Sequence, residues 1–228
     1  MALPRTVDLS RVTERSGYEV DFSLDPLGGT GSTFRSKPIY DQAGIIGQID
    51  GGSEIHATNG VITYTSLDQR LIGLYNNKTL GFEAAFGLSP YTDAQKDAAR
   101  ASIQLWDDLI PQTFKETNAL GADMQFSNSL DPAQAYAYLP TKQGWKFQSD
   151  VFTNDPNNVE DGNWTNNWFA NLGYGTTTLV HEIGHAIGLS HPGSYNFGQD
   201  SNGDGVPDPL TYGSFAEYAQ DSMQYTIM

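Results

Sequence analysis

The sequence predicts an α+β domain, and three observations support this fold class. Apolar residues recur every three or four positions in segments 92–110 and 176–187, which is typical of amphipathic helices. Segments 61–67, 124–126 and 134–139 have the composition and alternation of short strands. The 228 residues, 38% of them hydrophobic, suffice for one good core. We therefore expect helices packed against a sheet.

The N-terminal part of the chain has the weakest pattern, and residues 1–58 are interpreted as an arm. The Gly-rich stretch 27–32 predicts a flexible connection that could separate an N-terminal arm from the folded body. The first strand follows at 61–67, where successive side chains alternate between two faces. Residues 59–228 are therefore assigned to the folded domain.

The clearest ordinary helix is predicted at 92–110. Thr92 and Gln95 form a capping-box pair at its start, because the spacing lets each side chain accept a hydrogen bond from the other residue's backbone N–H. Pro111 is expected to stop the helix. The face toward the core consists of Ala99, Ile103, Trp106 and Ile110.

Two further strands are predicted upstream of the histidine-rich part of the chain. Residues 124–126 form the middle of the first. In the second, 134–139, alternation places Tyr136 and Tyr138 on one face. This second strand suits either a sheet edge or a buried central position. Residues 141–175 are rich in Asn, Asp, Gly and Trp without periodicity, which predicts a long loop layer.

Residues 181–192 read HEIGHAIGLSHP and form the strongest functional pattern in the chain. His181 and His185 are four residues apart, so a helix projects both from one face, about 6 Å apart along its axis. Two imidazoles at this spacing can share one zinc ion. Thr176 or Thr177 is expected to cap this helix. Its core face contains Leu179, Ile183 and Ile187.

The third histidine, His191, requires the helix to end before it. On a continued helix it would lie about 9 Å beyond His185, too far for Zn–N bonds of about 2.0–2.1 Å. Gly188 stands where a left-handed residue would end the helix, and Pro192 opposes its resumption. We therefore predict that a turn brings His191 to His181 and His185 as the third zinc ligand.

Glu182 is the predicted general base. It is displaced by about 100° around the helix from His181, so its carboxylate falls beside the metal. Zinc would lower the pKa of a bound water toward about 7, and Glu182 would take the proton of that water and pass it to the leaving amine. This set of residues predicts hydrolysis of peptide bonds.

A second metal, calcium, is predicted at residues 200–208, which read DSNGDGVPD. Oxygen-bearing side chains at alternate positions, a glycine at the sixth and a backbone carbonyl at the seventh are typical of a calcium loop. Thr211 replaces the bidentate glutamate that an EF-hand has at its twelfth position, and a merely solvated turn is the alternative. The predicted ligands are Asp200, Asn202, Asp204, the carbonyl of Val206, and Asp208.

The zinc pattern HExxHxxGxxH resembles that of the metzincin metalloproteases, and Pro192 with Gly193 is similar to the serralysin branch. Two other stretches carry the same resemblance. Residues 133–140 (AQAYAYLP) are similar to the strand that precedes the zinc helix, and residues 224–228 (QYTIM) are similar to the approach to the Met-turn. The likeness covers roughly residues 80–228.

The resemblance implies a twisted mixed sheet of about five strands with an antiparallel edge strand, a backing helix and the zinc helix. It implies that Met228 is the Met-turn methionine, packed beneath the zinc ligands. It also implies that an extended substrate pairs with the edge strand at Ala135, Tyr136, Ala137 and Tyr138.

The same resemblance gives expectations about processing and export. It implies a propeptide in the N-terminal arm and secretion from a bacterium without a cleavable N-terminal signal peptide. The Ser-Tyr pair after the Met-turn and the calcium-binding repeats of the family do not occur in these 228 residues. We therefore expect the N-terminal portion of a longer protease, ending at the Met-turn, with its propeptide or a C-terminal segment as possible partners.

Composition excludes several function classes. The net charge of −15 argues against nucleic-acid binding, which needs clustered Lys and Arg. No apolar run has the length of about 20 residues that a membrane span requires. The absence of cysteine excludes disulfides and latency through a thiolate on zinc. Besides the protease, a calcium-stabilised extracellular interaction module, an inactive protease fragment and a zinc hydrolase of non-peptide substrates remain open.

Overall fold

The computed structural model describes most of the chain from Thr33 onward. The described residues are 33–77, 87–130, 134–143, 146–157, 169, 173–195, 200, 203–204, 208–222 and 225–228. Their strands are β1 (Thr33–Phe34), β2 (Lys37–Pro38), β3 (Val61–Ser66), β4 (Thr113–Glu116), β5 (Met124–Ser129), β6 (Ala135–Ala137), β7 (Thr141–Gln143) and β8 (Lys146–Asn154).

The helices carry the second layer of the fold. They are α1 (Gln42–Ile49), α2 (Gln69–Asn77), α3 (Asp93–Asp107), α4 (Tyr174–Ile187) and the short α5 (Tyr212–Phe215). Among the described residues, no helix has both the length and the apolar character that crossing a bilayer demands.

The main sheet has the strand order β4-β3-β5-β8-β6. Strands β4, β3, β5 and β8 are parallel to one another, whereas β6 is antiparallel to β8, and β7 forms a second antiparallel pairing with β8. The predicted α+β class is confirmed, with its mixed sheet and antiparallel edge strand. The alternative of a buried central position for the strand around Tyr136 was wrong.

The prediction of a loop layer at 141–175 was wrong for 141–143 and 146–154, which form β7 and β8. Residues 148–154 of the long strand β8 are all buried, so this part of the strand has no solvent face to produce a clean alternation. Its buried carboxylate is fully paired: the two oxygens of Asp150 accept hydrogen bonds from Gln125 Nε2 at 2.9 Å and Tyr75 Oη at 2.8 Å. Strand β5 begins at Met124 and continues to Ser129, with every residue buried.

Helix α3 begins as the sequence indicates and ends sooner. Both hydrogen bonds of the Thr92–Gln95 capping box are present. The helix stops at Asp107 rather than residue 110, because Pro111 would clash with the carbonyl four residues before it if the helix continued. The Trp106 indole donates to the Val180 carbonyl at 3.0 Å, which joins α3 to α4.

Helix α4 starts earlier than predicted. Its N-cap is Gly173, without a side-chain cap, and the expected cap at Thr176 or Thr177 was wrong. Thr176 lies inside the helix and its hydroxyl donates to the Phe169 carbonyl at 3.2 Å. The α4 side chains Leu179, Ile183 and Ala186 join the main core with residues of β3, β5, β8 and α3.

Residues 38–55 pack against the body of the protein. Ile39 and Ile55 are buried. The Gly51 N–H donates to the Gly188 carbonyl at 2.9 Å, and the Ser190 N–H donates to the Ile49 carbonyl at 2.8 Å. These contacts join α1 and its flanks to the turn that follows α4.

Candidate metal centre

Helix α4 places the first two histidines of the pattern together. The Nε2 atoms of His181 and His185 are 3.1 Å apart, as expected for residues one turn apart on one helix face. Glu182, between them in sequence, turns toward the interior and is 5% exposed.

The turn after α4 depends on Gly188. Its φ of 126° is in the range that favours glycine. Its N–H donates to the carbonyls of Gly184 and His185, at 3.2 and 3.0 Å, which closes the helix. A Cβ at this position would also collide with the Ser53 carbonyl. Gly188 therefore serves both the turn and the close approach of the N-terminal segment.

The turn brings His191 to the other two histidines, and Pro192, next in sequence, is buried. His191 Nε2 lies 3.2 Å from His185 Nε2 and 3.3 Å from His181 Nε2. Ligands of tetrahedral zinc with Zn–N bonds of about 2.0–2.1 Å are about 3.3–3.4 Å apart. The nearly equilateral triangle of nitrogens therefore fits one zinc ion.

Backbone carbonyls fix the orientation of each imidazole. The Ile227 carbonyl oxygen lies 2.6 Å from His181 Nδ1. The corresponding distance is 2.7 Å from the Leu189 carbonyl to His185 Nδ1, and 2.8 Å from the Tyr195 carbonyl to His191 Nδ1. Because a carbonyl can only accept, each Nδ1 carries the proton. In the neutral rings, the three Nε2 lone pairs then face one another, an arrangement that a cation relieves.

Burial keeps two of these imidazoles in the form that binds metal. It lowers the pKa of His185 to about 4 and also lowers the pKa of His181, each against a hydrogen bond to a carbonyl that raises it. Both rings are therefore neutral at neutral pH. Metal binding needs no proton to leave them.

Glu182 is a buried carboxyl beside the triangle. Burial raises its pKa to about 8, while a hydrogen bond from the backbone of Ala137 on β6 lowers it. Within the described part of the chain, its Oε2 has no hydrogen-bond partner. A nearby divalent cation favours the ionised form of such a group.

Met228 lies beneath α4. It is 9% exposed, and a Cβ on Gly184 would collide with its Sδ. The preceding residue, Ile227, supplies the carbonyl that holds His181. The structure thus places Met228 under the helix that carries two of the three histidines.

Strand β6 presents its backbone, rather than its tyrosines, to the metal centre. Ala137 packs against the main core that includes α4, on the side where its backbone meets Glu182. Tyr136 and Tyr138 point to the opposite face and pack with Phe152. The tyrosine rings are not brought to the histidines.

The predicted calcium loop is only partly described. Asp200 Oδ1 accepts hydrogen bonds from the backbone of Gly203 at 2.7 Å and of Asp204 at 3.1 Å. Asn202 and Val206 lie outside the described residues. In the described ranges, the histidine triad is the one group of three potential ligands with donor atoms within 4.8 Å of one another, so Asp200, Asp204 and Asp208 form no such group.

The sequence-based prediction missed Tyr195 and Asp221. The Tyr195 ring stacks on His191 with centroids 5.5 Å apart, and its hydroxyl donates to Asp221 Oδ1 at 2.7 Å. Tyr195 stands four residues after a predicted ligand, which was the available signal. Asp221 is 26 residues further along the chain, and nothing in its local sequence links it to the site.

Comparison with known proteins gives a consistent set of relatives, although no family model matches the chain. The chain is 36% identical over 214 residues to the metallopeptidase AprA of Pseudomonas marginalis, which covers 88% of this chain and 40% of that protein. It is 38% identical over 144 residues to a serralysin of Photorhabdus laumondii, covering 61% of this chain and 27% of that protein. The metalloprotease AprA of Pseudomonas entomophila is 34% identical over 209 residues, covering 87% of this chain and 39% of that protein.

These similarities confirm the resemblance to serralysin-type metzincins. The chain spans 40% or less of the length of these three relatives. The alignments with the two AprA proteins include 88% and 87% of the present chain. The activity of these longer relatives therefore supports a proposal for the function of this chain.

Proposed function

We propose that this serralysin-type metzincin chain forms the catalytic centre of a secreted, zinc-dependent endopeptidase. The observation that carries the proposal is the triangle of three Nε2 atoms, 3.1–3.3 Å apart, beside Glu182. Relatives named as metallopeptidases and serralysins support it. The substrates are polypeptides.

His181, His185 and His191 would hold zinc through Nε2. Their Nδ1–H groups donate to carbonyls, which sets the ring orientation that a zinc site needs. When bound, zinc would polarise the scissile carbonyl and lower the pKa of a water molecule toward about 7.

Glu182 supplies the proton transfer. Its carboxylate takes a proton from the attacking water and delivers it to the leaving nitrogen as the C–N bond breaks. General acid–base catalysis of this kind contributes roughly 10²–10⁴-fold. The Ala137 N–H orients one carboxylate oxygen and leaves Oε2 available for the proton.

Strand β6 is the proposed template for an extended substrate. The Tyr138 N–H donates to the Asp150 carbonyl on β8, so strand alternation directs the backbone polar groups of Ala135 and Ala137 away from β8. Because the Ala137 N–H meets Glu182, the groups left for a substrate are those of Ala135 and the carbonyl of Ala137. A peptide added antiparallel at this edge would pass Glu182. The backbone groups of Tyr136 and Tyr138 are directed toward β8 and their rings pack with Phe152, so the polar contacts to the substrate would come from the two alanines.

Calcium binding at 200–208 remains a proposal from the sequence pattern. The turn in which Asp200 accepts from residues 203 and 204 is compatible with a calcium loop that also uses Asn202, Val206 and Asp208. Loss of thermal stabilisation by added Ca²⁺ in an Asp204→Ala variant would support it.

The division at residue 58 is also a proposal, and the packing of residues 38–55 favours an earlier boundary. Gly51 and Ile49 hydrogen-bond to the turn that carries the zinc pattern. We propose that residues 33–58 stay with the catalytic body when an N-terminal segment is removed. Intact mass of the secreted protein tests this proposal.

The experiment that tests the function is cleavage of casein by the zinc-loaded protein, before and after treatment with a chelator. We expect the chelator to abolish cleavage and added Zn²⁺ to restore it. An ester substrate measured in parallel separates a peptidase from a hydrolase of other substrates. Full zinc content without casein cleavage, or cleavage that survives zinc removal, would contradict the proposal.

Two histidine variants provide a matched control. His185→Ala removes one corner of the nitrogen triangle, so we expect it to lose both zinc and cleavage. His56→Ala changes an exposed histidine outside that triangle and is expected to retain both. Equal behaviour of the two variants would argue against the histidine triad as the zinc site.

A further inference from the structure

His191 is held differently from the other two histidines, because it lies beyond the helix. Its ring stacks on Tyr195, with centroids 5.5 Å apart and an angle of 9° between planes. Its Nδ1 lies 2.8 Å from the Tyr195 carbonyl. A single residue therefore contacts the imidazole at both its face and its edge.

Tyr195 is itself fixed by a buried carboxylate. Its hydroxyl donates to Asp221 Oδ1 at 2.7 Å, and Asp221 is 4% exposed. The other oxygen of Asp221 accepts from the Glu217 N–H at 3.0 Å. Burial and Asp221 raise the pKa of Tyr195, so the phenol remains a donor.

Gly193 leaves the space that this pair needs. A Cβ at Gly193 would lie 2.7 and 2.9 Å from two atoms of the Tyr195 ring, and 3.0 Å from Asp221 Oδ2. Contacts below 3.4 Å require a neighbouring group to move, and here the neighbours are the two members of the pair. The close packing of Tyr195 and Asp221 against the backbone therefore depends on the absence of a side chain at Gly193.

The segment that carries Asp221 is anchored from the N-terminal side. The Ala219 N–H donates to the Pro38 carbonyl at 2.8 Å, and Tyr218 stacks on Tyr40 with ring centroids 4.9 Å apart. Gln220 Nε2 donates to the Tyr40 carbonyl at 2.9 Å. Asp221 is therefore a fixed point against which the turn can be held.

We propose that Tyr195 and Asp221 are positioning residues that hold His191 in its zinc-binding orientation. This inference rests on the proposed zinc site. The pair acts through the stacked ring and the carbonyl of Tyr195. It compensates for the absence of a helix at the third ligand.

The test is the zinc affinity of Tyr195→Phe, measured by competition with a chromogenic chelator. This variant keeps the aromatic ring and the carbonyl and removes only the hydroxyl that reaches Asp221. Loss of a group that hydrogen-bonds a metal ligand directly typically weakens metal binding about 10–100-fold, and the Tyr195 hydroxyl acts on His191 only through the rest of Tyr195. We therefore expect a loss at the lower end of that range, about 10-fold, together with a shifted visible absorption spectrum of the Co²⁺-substituted protein.

Tyr75→Phe is the matched control. Tyr75 also donates to a buried aspartate, Asp150, at 2.8 Å, but this pair joins helix α2 to strand β8 and includes no contact of His191. We expect Tyr75→Phe to lower thermal stability without changing zinc affinity by more than about twofold, and to keep the cobalt spectrum. If Tyr195 only stabilised the fold, Tyr195→Phe would likewise lower thermal stability and leave zinc affinity and the cobalt spectrum unchanged.

Asp221→Asn and Asp221→Ala keep the proposal testable if Tyr195→Phe folds poorly. The asparagine side chain still offers an oxygen to the Tyr195 hydroxyl. The Asp221→Asn protein should therefore bind zinc more tightly than the Asp221→Ala protein. Wild-type zinc affinity and an unchanged cobalt spectrum in Tyr195→Phe would overturn the inference. Absence of zinc binding in the wild-type protein would instead overturn the proposed function, and the inference with it.

Discussion

The hydrogen-bond network around Asp150 and the metal centre both bury polar atoms, but they differ in whether those atoms are all paired within the protein. In the Asp150 network, Gln125 on β5 and Tyr75 on α2 donate to the two carboxylate oxygens of Asp150 on β8. In the metal centre, three Nε2 atoms face one another, and Glu182 Oε2 has no partner among the described residues. Because a buried polar atom without a partner is costly, the paired Asp150 network needs no ligand, whereas the metal centre would be stabilised by one.

The two regions also differ in how they depend on glycine. The residues of the sheet network are held by side-chain hydrogen bonds. The metal centre instead relies on the close approach of the Ser53 backbone at Gly188, and on side-chain contacts of Tyr195 and Asp221 at Gly193 and of Met228 at Gly184. Small side-chain additions should therefore damage the centre more than the sheet.

The largest effect should come from Gly188→Ala, which attacks the centre through its backbone. Alanine would be strained at the positive φ of this position, and its Cβ would collide with the Ser53 carbonyl. We therefore expect a loss of about 3 kcal/mol in the free energy of unfolding. The turn to His191 would shift, and tight zinc binding would be lost. Urea unfolding and zinc competition measure these effects.

Gly47→Ala is the control for that substitution. Gly47 lies in α1, and a Cβ there would meet nothing within 4 Å. The variant should be neutral or more stable by up to about 1 kcal/mol, because alanine favours the helix. An equal loss of stability in both variants would show that the close approach at Gly188 is not the cause.

A smaller effect should appear in the pH dependence of the sheet. Burial raises the pKa of Asp150 from 3.8 to about 6, against the hydrogen bonds from Gln125 and Tyr75. The folded state therefore binds this proton more tightly than the unfolded state. Protonation of Asp150 therefore stabilises the folded protein at pH values below the pKa that Asp150 has in the unfolded state. This stabilisation is lost as the pH rises through its pKa in the folded state.

Asp150→Asn isolates this contribution in the zinc-free protein. Between about pH 7.5 and pH 5, Asp150 should add about 1–2 kcal/mol to the wild-type free energy of unfolding, and the variant should lack this gain. Urea unfolding at both pH values gives the comparison. Identical pH dependence in the two proteins would contradict the buried, raised-pKa aspartate.

The smallest effect is expected from Gly184→Ala, which touches the floor of the centre. The added Cβ would meet the flexible end of Met228, which can move aside, and would lie 3.2 Å from Trp106 Cζ2, while alanine favours the helix. We expect a net loss of about 1 kcal/mol and a modest weakening of zinc binding. Retention of wild-type zinc affinity and stability would show that Met228 is free to leave this contact.

The two regions differ again in how far the sequence predicts them. The triangle of histidines follows from helix spacing, one glycine and one proline, all within residues 181–192. The strand β8 was missed, because its polar residues produce no alternation and their partners lie on α2 and β5, far away in sequence. Local pattern therefore predicts the ligands better than the sheet that supports them.

Tertiary contacts explain the other omissions. The carbonyls of Ile227, Leu189 and Tyr195 orient the histidines, and the backbone of a residue has no sequence pattern of its own. The role of Gly188 was predicted as a helix ending, but its approach to Ser53 depends on the path of the N-terminal segment. Periodicity and motif spacing do not report such contacts.

The most direct test of the account is the rate at which zinc-loaded Glu182→Ala cleaves casein, compared with the wild-type protein at equal zinc content. The three histidines are unchanged in this variant, so it should bind zinc as the wild type does. Loss of the general base should lower the rate by roughly 10²–10⁴-fold or more. Cleavage by the zinc-loaded variant at the wild-type rate would contradict the central claim that Glu182 performs the proton transfer at this centre.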